Sequence, residues 1–261
     1  MTDDKRQQDD DELAKAYEEC TDELRSFGRR RGRKLRPRQA QLFTQLLPRV
    51  ALGLHEPAPQ PLEKLFTQSQ STSAHEDKST DPIREVWLEI GFGGAEHLIW
   101  QAENNADVGH IGCEPFEAGV VKALSAIETK PLDNVRLHAD DARDLLRWLP
   151  EASITRAFIL FPDPWPKRRH AKRRLVAPHL LELLARVMAP GAELRIGTDI
   201  PDYLRTILIA FQTEPRFCWQ VSGPRDWRYR PDDWPPTRYE QKALRESRCC
   251  YYLRFRRAEE N

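Results

Sequence analysis

The sequence lacks most of the features that mark secreted, membrane or metal-binding proteins. No apolar run approaches the roughly 18 residues that a membrane-spanning helix needs. The first residues, Met-Thr-Asp-Asp-Lys-Arg, contain no apolar stretch, so we expect no signal peptide. The five cysteines form no Cys-x-x-Cys pair and the seven histidines show no ligand spacing, so we predict neither a disulfide framework nor a metal site. This cysteine usage favours a reducing cytoplasm.

The sequence also has no net charge, because 41 basic residues balance 41 acidic residues. This balance argues against a protein that coats nucleic acid with its whole surface, but a local basic face depends only on how charges are distributed. Eight of the 14 residues in segment 25–38 are Lys or Arg, as are six of the eight in segment 167–174. We expect the two segments to form a bipartite phosphate-binding face. The alternative for segment 167–174 is a solvated, charged start of a helix.

Composition divides the chain into three parts. Residues 1–22 are acid-rich and are predicted to form a flexible tail, with a short helix from Asp11 to Leu24 as an option. Residues 23–82 are predicted to form a basic arm, a short helix over 39–47, and a linker or surface loop over 55–82 that is rich in Pro, Ser, Thr and Gln. In residues 83–261, candidate strands alternate with candidate helices. This alternation predicts an α/β domain with a mostly parallel sheet.

The predicted elements of this domain follow from apolar runs and helical periodicity. Strands are predicted at 86–90, 108–113, 135–138, 154–161, 192–197, 217–221 and 249–255. Helices are predicted at 95–104, 116–129, 142–149, 175–188 and 201–212. The last two strands enclose a long irregular stretch, and we expect them to close one edge of the sheet like a hairpin.

Glycines and acids follow the first three predicted strands. Gly91 and Gly93 follow Glu89-Ile90, in a strand–turn–helix context that lets a ligand approach the backbone. Neither GxGxxG nor a P-loop is matched, and the alternative is a plain glycine turn between strand and helix. Glu114 ends the second strand, where an acid in a Rossmann-like sheet accepts hydrogen bonds from adenosine ribose hydroxyls; the alternative is a solvated loop residue. Asp141 follows the third strand and can read an adenine amino group, cap the next helix, or do both.

The fourth predicted strand leads into Phe161-Pro-Asp-Pro-Trp165, which holds Asp163 between two prolines. The basic residues that follow are expected to grip RNA phosphates: Lys167, Arg168, Arg169, Lys172, Arg173 and Arg174. Trp165 either stacks on a base or packs the loop, and the residues alone favour neither. This stretch therefore predicts a rigid carboxylate beside a polyanion-binding patch.

Together these segments resemble the tRNA (guanine-N7-)-methyltransferase family of bacteria. The matching residues are Arg25-Ser-Phe27, Leu88–Gly93, Ile111–Glu114, Asp141-Ala142, Phe161–Trp165 with Lys167 and Lys172-Arg-Arg174, Thr198-Asp199 and Thr237–Glu240. They extend over roughly 24–50 and 83–257, and the Phe-Pro-Asp-Pro-Trp segment is the most specific. The sequence departs from the family at Ala95, where a glycine is usual, and at Pro166, where a polar residue is expected.

The resemblance implies a Rossmann-like class I methyltransferase fold, with a seven-stranded, mostly parallel sheet, an antiparallel last strand and helices on both faces. It implies S-adenosylmethionine as methyl donor and a guanine in the tRNA variable loop as acceptor. The implied cofactor residues are Glu89, Gly91, Gly93, Glu114, Asp141 and Asp163, of which Asp163 is also catalytic. The implied substrate residues are Lys167, Asp199, Thr237, Arg238, Tyr239 and Glu240. We expect a monomer or homodimer. The alternatives are a class I methyltransferase acting on another RNA or on protein, and a non-catalytic RNA-binding module.

Overall fold

The computed structural model describes residues 28, 30–67, 82–130 and 132–259, and the backbone alone of Arg168. The acidic tail, with its optional helix from Asp11 to Leu24, lies outside the described residues. So do Arg25-Ser-Phe27 of the basic arm and residues 68–81 of the linker.

A seven-stranded sheet lies at the centre of the fold, in the order β3-β2-β1-β4-β5-β7-β6. Its strands are β1 (Glu85–Ile90), β2 (Val108–Cys113), β3 (Val135–His138), β4 (Ile154–Leu160), β5 (Met188–Thr198), β6 (Phe217–Trp219) and β7 (Tyr251–Arg257). Strands β1 to β5 pair in parallel, whereas β7 is antiparallel to both β5 and β6. The predicted fold class is confirmed, including the antiparallel last strand and the closing edge.

Helices connect the strands and cover both faces of the sheet. They are α1 (Pro37–Gln45), α2 (Leu47–Val50), α3 (Lys64–Thr67), α4 (Glu96–Asn104), α5 (Glu117–Thr129), α6 (Ala142–Trp148), α7 (Pro178–Val187), α8 (Pro201–Gln212), α9 (Arg225–Arg228) and α10 (Arg238–Arg245), with a 3-10 helix at Arg168–Arg173. Leu145, Leu180 and Ile207 pack α6, α7 and α8 into one core. Leu98 and Leu124 pack α4 and α5 into another. Because helices cover both faces, the central strands are buried along nearly their whole length.

The predicted linker is partly built into this core. Leu62 and Phe66 are buried, and the Phe66 ring lies directly on Gly109 of β2, where a larger side chain would collide with it. The predicted helix at 39–47 ends at Gln45, and Pro48 lies in the first turn of α2, a position that tolerates its missing N–H. Residues 61–67 thus pack against the sheet, which their polar and proline-rich neighbours did not indicate.

Helix α7 begins at Pro178 rather than at residue 175, because proline sets the first helical turn and disfavours a helical residue before it. Helices α3, α9 and α10 were not predicted, and the first two have only four residues each. In the part of the chain that the structure describes, no helix is long and apolar enough to cross a bilayer.

Candidate active site

A turn of left-handed backbone connects β1 to α4. Gly91, Gly93 and Ala95 all have positive φ angles, of 76°, 53° and 64°. Ala95, which stands where the family usually has a glycine, itself adopts the left-handed conformation that glycine favours. A Cβ on Gly91 would meet no atom within 4 Å, so open space adjoins this turn. The turn therefore offers a ligand close access to the backbone at the carboxyl edge of the sheet.

Glu114 connects this turn to the end of β2. Its Oε2 accepts a hydrogen bond from the Gly93 N–H at 2.8 Å, and its Oε1 accepts one from the Phe116 N–H at 2.9 Å. Burial raises the pKa of Glu114, the two backbone hydrogen bonds oppose this shift, and the charges of Asp163 and Glu89 add to it. Each carboxylate oxygen has a second lone pair, so the side chain can still accept hydrogen bonds from a ligand.

Asp141 follows β3 and caps α6. Its side chain accepts a hydrogen bond from the Arg143 N–H at 2.9 Å and forms an ion pair with the Arg143 guanidinium at 2.6 Å. Capping, one of the two functions that the sequence allowed, is thus present, and a contact with adenine stays a prediction. The neighbouring Asp140 forms an ion pair with Arg30 of the basic arm at 2.6 Å. The described part of the arm therefore reaches the same edge of the sheet.

Glu89 lies near the end of β1 and is buried. Its Oε2 lies 2.8 Å from Nδ1 of His97 on α4, and both side chains are almost fully shielded from solvent. The charge of Glu89 is also felt at Glu114. Two carboxylates therefore lie at the carboxyl ends of neighbouring parallel strands, beside the glycine turn.

Asp163 lies on the loop after β4, and its side chain is exposed. Phe161 and Trp165, at the two ends of the loop, have positive φ angles of 52° and 42°. The Phe161 N–H donates to the Gly197 carbonyl at 2.8 Å, and Arg174 Nε donates to the Pro164 carbonyl at 3.0 Å. These contacts at both ends, together with the two prolines, support the prediction of a rigid carboxylate.

The basic segment after this loop divides into exposed and packed side chains. Lys167, Arg169 and Lys172 are exposed. The Arg173 guanidinium lies 5.1 Å from the Trp165 ring centre, and His170 meets that ring edge-on at 5.9 Å. Trp165 thus packs against the loop, one of the two alternatives that the sequence left open, and stacking on a base stays a prediction.

Arg174 differs from the rest of the segment because it is only 5% exposed. Besides Pro164, its guanidinium donates to Asp202 and Thr206 of α8. Its hydrogen-bonding groups are therefore directed into the protein. This corrects the expectation that Arg174 grips RNA: it fastens the Asp163 loop to α8. The side chain of Arg168 lies outside the described part of the structure.

The predicted substrate residues are brought to the same edge, but most of them have partners within the protein. Asp199 forms an ion pair with Arg248. Within the segment Thr237–Glu240, the Thr237 hydroxyl caps α10 by accepting from the Glu240 N–H, and Arg238 forms an ion pair with Glu96. The buried Glu240 accepts a hydrogen bond from Tyr252 and forms an ion pair with Arg230 at 3.1 Å.

Tyr239 faces the glycine turn at Gly93, and the Arg238 guanidinium lies against the same turn at Gly94. A Cβ on Gly93 would lie 2.9 Å from the Tyr239 ring, and the ring is 47% exposed. Burial of the hydroxyl group raises the pKa of Tyr239; the charge of Glu114 adds to this shift, Arg238 opposes it, and Asp163 adds to it again. Tyr239 therefore lies beside both the turn and the carboxylates.

Sequence reasoning missed two groups that shape the site. Gly119 on α5 brings that helix so close to the turn that a Cβ would lie 2.5 Å from the Gly93 carbonyl oxygen. A glycine inside a predicted helix was the available signal. His97 and Gln101, one helical turn apart on α4, were indistinguishable in the sequence from ordinary surface residues. Within the described ranges, no group of three or more His, Cys, Asp or Glu side chains could hold a metal ion.

The strand order, the glycine turn and the acids at successive strand ends define a Rossmann-like methyltransferase of class I. A family profile described as "Putative methyltransferase" matches residues 84–253. Among solved structures, the 16S rRNA methyltransferase KamB has the same fold, with a TM-score of 0.50 and 13% identity over 78% of this chain and 95% of that one.

Relatives in sequence identify the family within this class. The chain is 47% identical to the tRNA (guanine-N(7)-)-methyltransferase of Ruegeria sp. (strain TM1040), over 88% of this chain and 87% of the relative. It is 44% identical to the enzyme of the same name from Rhodospirillum rubrum, over 92% of this chain and 90% of the relative. The chain belongs to the tRNA (guanine-N(7)-)-methyltransferase family.

Proposed function

We propose that this protein transfers the methyl group of S-adenosylmethionine to N7 of a guanine in the variable loop of tRNA. Family membership supports the reaction and the methyl donor. Because the proposed substrate is tRNA, we expect the protein to act in the cytoplasm. A single chain supplies all the carboxylates and cations described above.

One observation carries the proposal: Asp163 lies between a group of carboxylates and a group of cations. On one side, its loop follows β4, which pairs in parallel with β1, so Asp163 lies at the same edge of the sheet as the glycine turn and its carboxylates. On the other, it is followed within nine residues by the exposed Lys167, Arg169 and Lys172. This placement suits an enzyme that holds a cationic methyl donor and a polyanionic acceptor next to each other.

The residues present fit S-adenosylmethionine. The ligand has a sulfonium, an ammonium and two ribose hydroxyls, which call for negative charge and hydrogen-bond acceptors. Glu89, Glu114 and Asp163 provide negative charge, and Glu114 keeps lone pairs for the hydroxyls. The open space beside Gly91 gives access to the turn. Glu89 would hold the ammonium end, Glu114 the ribose, and the backbone near Asp141 the adenine.

The chemistry assigned to Asp163 is orientation and charge stabilisation. S-adenosylmethionine supplies an electrophilic methyl group. Guanine N7 has a lone pair and no proton, so Asp163 need not act as a base. Its carboxylate can accept hydrogen bonds from guanine and align N7 with the methyl group, which removes an entropic barrier. The same fixed charge stabilises the positive charge that develops on the purine.

The exposed cations would allow the site to bind a large anionic substrate such as tRNA. Lys167, Arg169 and Lys172 would contact phosphates, and Arg30 at the other side of the turn would extend this face. Tyr239 lies next to the turn with half of its ring exposed, so we propose it as the residue that contacts the guanine. Asp199, Thr237, Arg238 and Glu240 would act mainly by holding this segment in place.

The decisive test is incubation of the full-length protein with radiolabelled S-adenosylmethionine and unmodified bulk tRNA, followed by digestion to nucleosides. Label in 7-methylguanosine is the expected result. Parallel incubations with ribosomal RNA and with total protein test the rival acceptors, and label there but not in tRNA would overturn the proposal. Binding of S-adenosylmethionine by calorimetry separates either enzyme from a non-catalytic RNA-binding module, which would bind none.

A further inference from the structure

A buried chain of hydrogen bonds begins at the Glu89 carboxylate and crosses α4. His97 Nδ1 lies 2.8 Å from Glu89 Oε2, and His97 Nε2 lies 3.2 Å from Gln101 Nε2. Gln101 Nε2 in turn donates to the Asp233 carbonyl oxygen at 3.3 Å. All three side chains are at most 4% exposed, so water competes little with these contacts. The chain joins a carboxylate of the proposed donor site to a loop on the substrate side.

The Asp233 carbonyl at the far end of this chain determines which group donates and which accepts in each hydrogen bond. The Asp233 carbonyl can only accept, so the group facing it must be the Gln101 amide nitrogen. The Gln101 oxygen independently accepts from Asn105 at 3.1 Å, which supports the same orientation. The second N–H of Gln101 then points at His97 Nε2, which must accept. Consequently Nδ1 carries the proton and donates to Glu89 Oε2, which leaves Oε1 as an acceptor for a ligand.

The loop at the other end is packed against the same histidine. Trp234 is completely buried, and its ring lies edge-on to His97 at 6.5 Å and to Tyr252 at 5.4 Å. Asp233 is held by an ion pair with Arg195 at 2.8 Å. Three residues after Trp234, the segment Thr237–Glu240 begins and places Tyr239 against Gly93. His97 therefore contacts both Glu89 and the loop that contains Trp234.

We propose that His97 is a positioning residue with two separable functions. Through Nδ1 it orients the Glu89 carboxylate towards the methyl donor. Through Nε2 and Gln101 it holds the loop around Asp233 and Trp234, and so the position of Tyr239 against the turn. This inference rests on the proposed function, because it takes Glu89 to bind S-adenosylmethionine and Tyr239 to contact the guanine.

Two amide substitutions separate these functions. In His97→Asn the amide nitrogen can take the place of Nδ1 and donate to Glu89, but the side chain is too short to reach Gln101. In His97→Gln the amide can take the place of Nε2 and meet Gln101, but nothing donates to Glu89. Gln101→Leu breaks the link to the loop and leaves His97 next to Glu89. Glu103→Gln, at an exposed position on the same helix, is the control.

The measurements are the Kd for S-adenosylmethionine by calorimetry, the KM for tRNA, and thermal unfolding by circular dichroism. We expect His97→Gln to weaken donor binding about tenfold, the effect of losing a hydrogen bond to a charged group. His97→Asn and Gln101→Leu should leave the donor Kd within about twofold and raise the KM for tRNA about fivefold, a smaller loss because other contacts still hold the loop.

Unchanged donor affinity in His97→Gln would overturn the inference. So would equal losses of donor affinity in His97→Gln and His97→Asn that follow the loss of thermal stability, since that pattern describes a purely structural histidine. Failure of the wild-type protein to bind S-adenosylmethionine at all would instead refute the proposed function. The two failures are therefore distinguishable in a single set of titrations.

Discussion

The sequence predicted the positions of the carboxylates at the strand ends better than those of the cations of segment 167–174. Glu89 and Glu114 lie at the carboxyl ends of two neighbouring parallel strands, β1 and β2. The cations share one short run of sequence, yet the structure sends them in different directions: Lys172 is exposed, whereas Arg174 is buried.

The difference has a physical cause. Parallel strands end at the same edge, so a residue directly after a strand has a position that topology alone decides. A basic residue in a loop has no such constraint, because its burial depends on which acceptors the loop passes. Arg174 meets a carbonyl, a hydroxyl and a carboxylate, so its guanidinium is satisfied inside the protein.

The largest expected effect is at Asp163, where the two regions meet. Asp163→Asn keeps the shape of the side chain but removes the charge that we assign to stabilising the methylated purine. We expect kcat to fall roughly 100- to 1,000-fold, the range for loss of one preorganised electrostatic group. Binding of tRNA, measured by filter retention, should change little. Asp107→Asn, just before β2 at the opposite edge, is the matched control. A kcat within threefold of wild type would exclude this function.

The next largest effect is expected at Arg174, whose buried contacts should stabilise the fold. Arg174→Ala should lower the free energy of unfolding by about 3 kcal/mol, because a buried guanidinium with several partners is lost and leaves acceptors unpaired. Lys172→Ala, two residues earlier and exposed, should change it by less than about 0.5 kcal/mol. Urea denaturation measures both. Similar stability in the two variants would show that the buried contacts of Arg174 contribute little.

Most of the fold could be predicted from the sequence, because apolar runs and helical periodicity locate β1 to β4 and their helices within a few residues. The packing of Leu62 and Phe66 could not, because nothing local shows which sheet surface a short apolar pair will cover. At the site, Glu114 followed from its position at the end of a strand, and Asp163 was recognisable as an acid in the loop after the fourth strand, whereas Glu89 was implied only by the family resemblance. The buried states of Arg174 and Glu240 depend on partners 28 and 12 residues away, and no local pattern encodes those contacts.

A smaller effect concerns the exposed cations alone. Removing two of them in Lys167→Gln/Lys172→Gln should weaken tRNA binding about tenfold at low salt and reduce the slope of log K against log salt by about 1.5, as expected for two lost phosphate contacts. The control is Arg84→Gln/Lys130→Gln, which removes two exposed cations before β1 and after α5. The same slope in both double variants would mean that segment 167–174 is merely a solvated charged surface.

The smallest expected effect is at the turn that holds the carboxylates in place. Ala95 is buried and has a φ of 64°, which costs about 1 kcal/mol or more for a residue with a Cβ. Ala95→Gly relieves this strain, but it also removes a packed methyl group worth about 0.8 kcal/mol and adds freedom to the unfolded chain. The opposing contributions predict a change in unfolding free energy of less than about 1 kcal/mol.

Gly91→Ala provides the contrast, because its φ of 76° adjoins open space and an added methyl group gains no packing. That variant should be destabilised by about 1 kcal/mol. Urea denaturation measures the unfolding free energy of both variants. If Ala95→Gly were instead stabilised by more than about 2 kcal/mol, backbone strain would outweigh packing at residue 95. The turn would then be held in its left-handed form by its contacts with Glu114 and Gly119, against the preference of its own sequence.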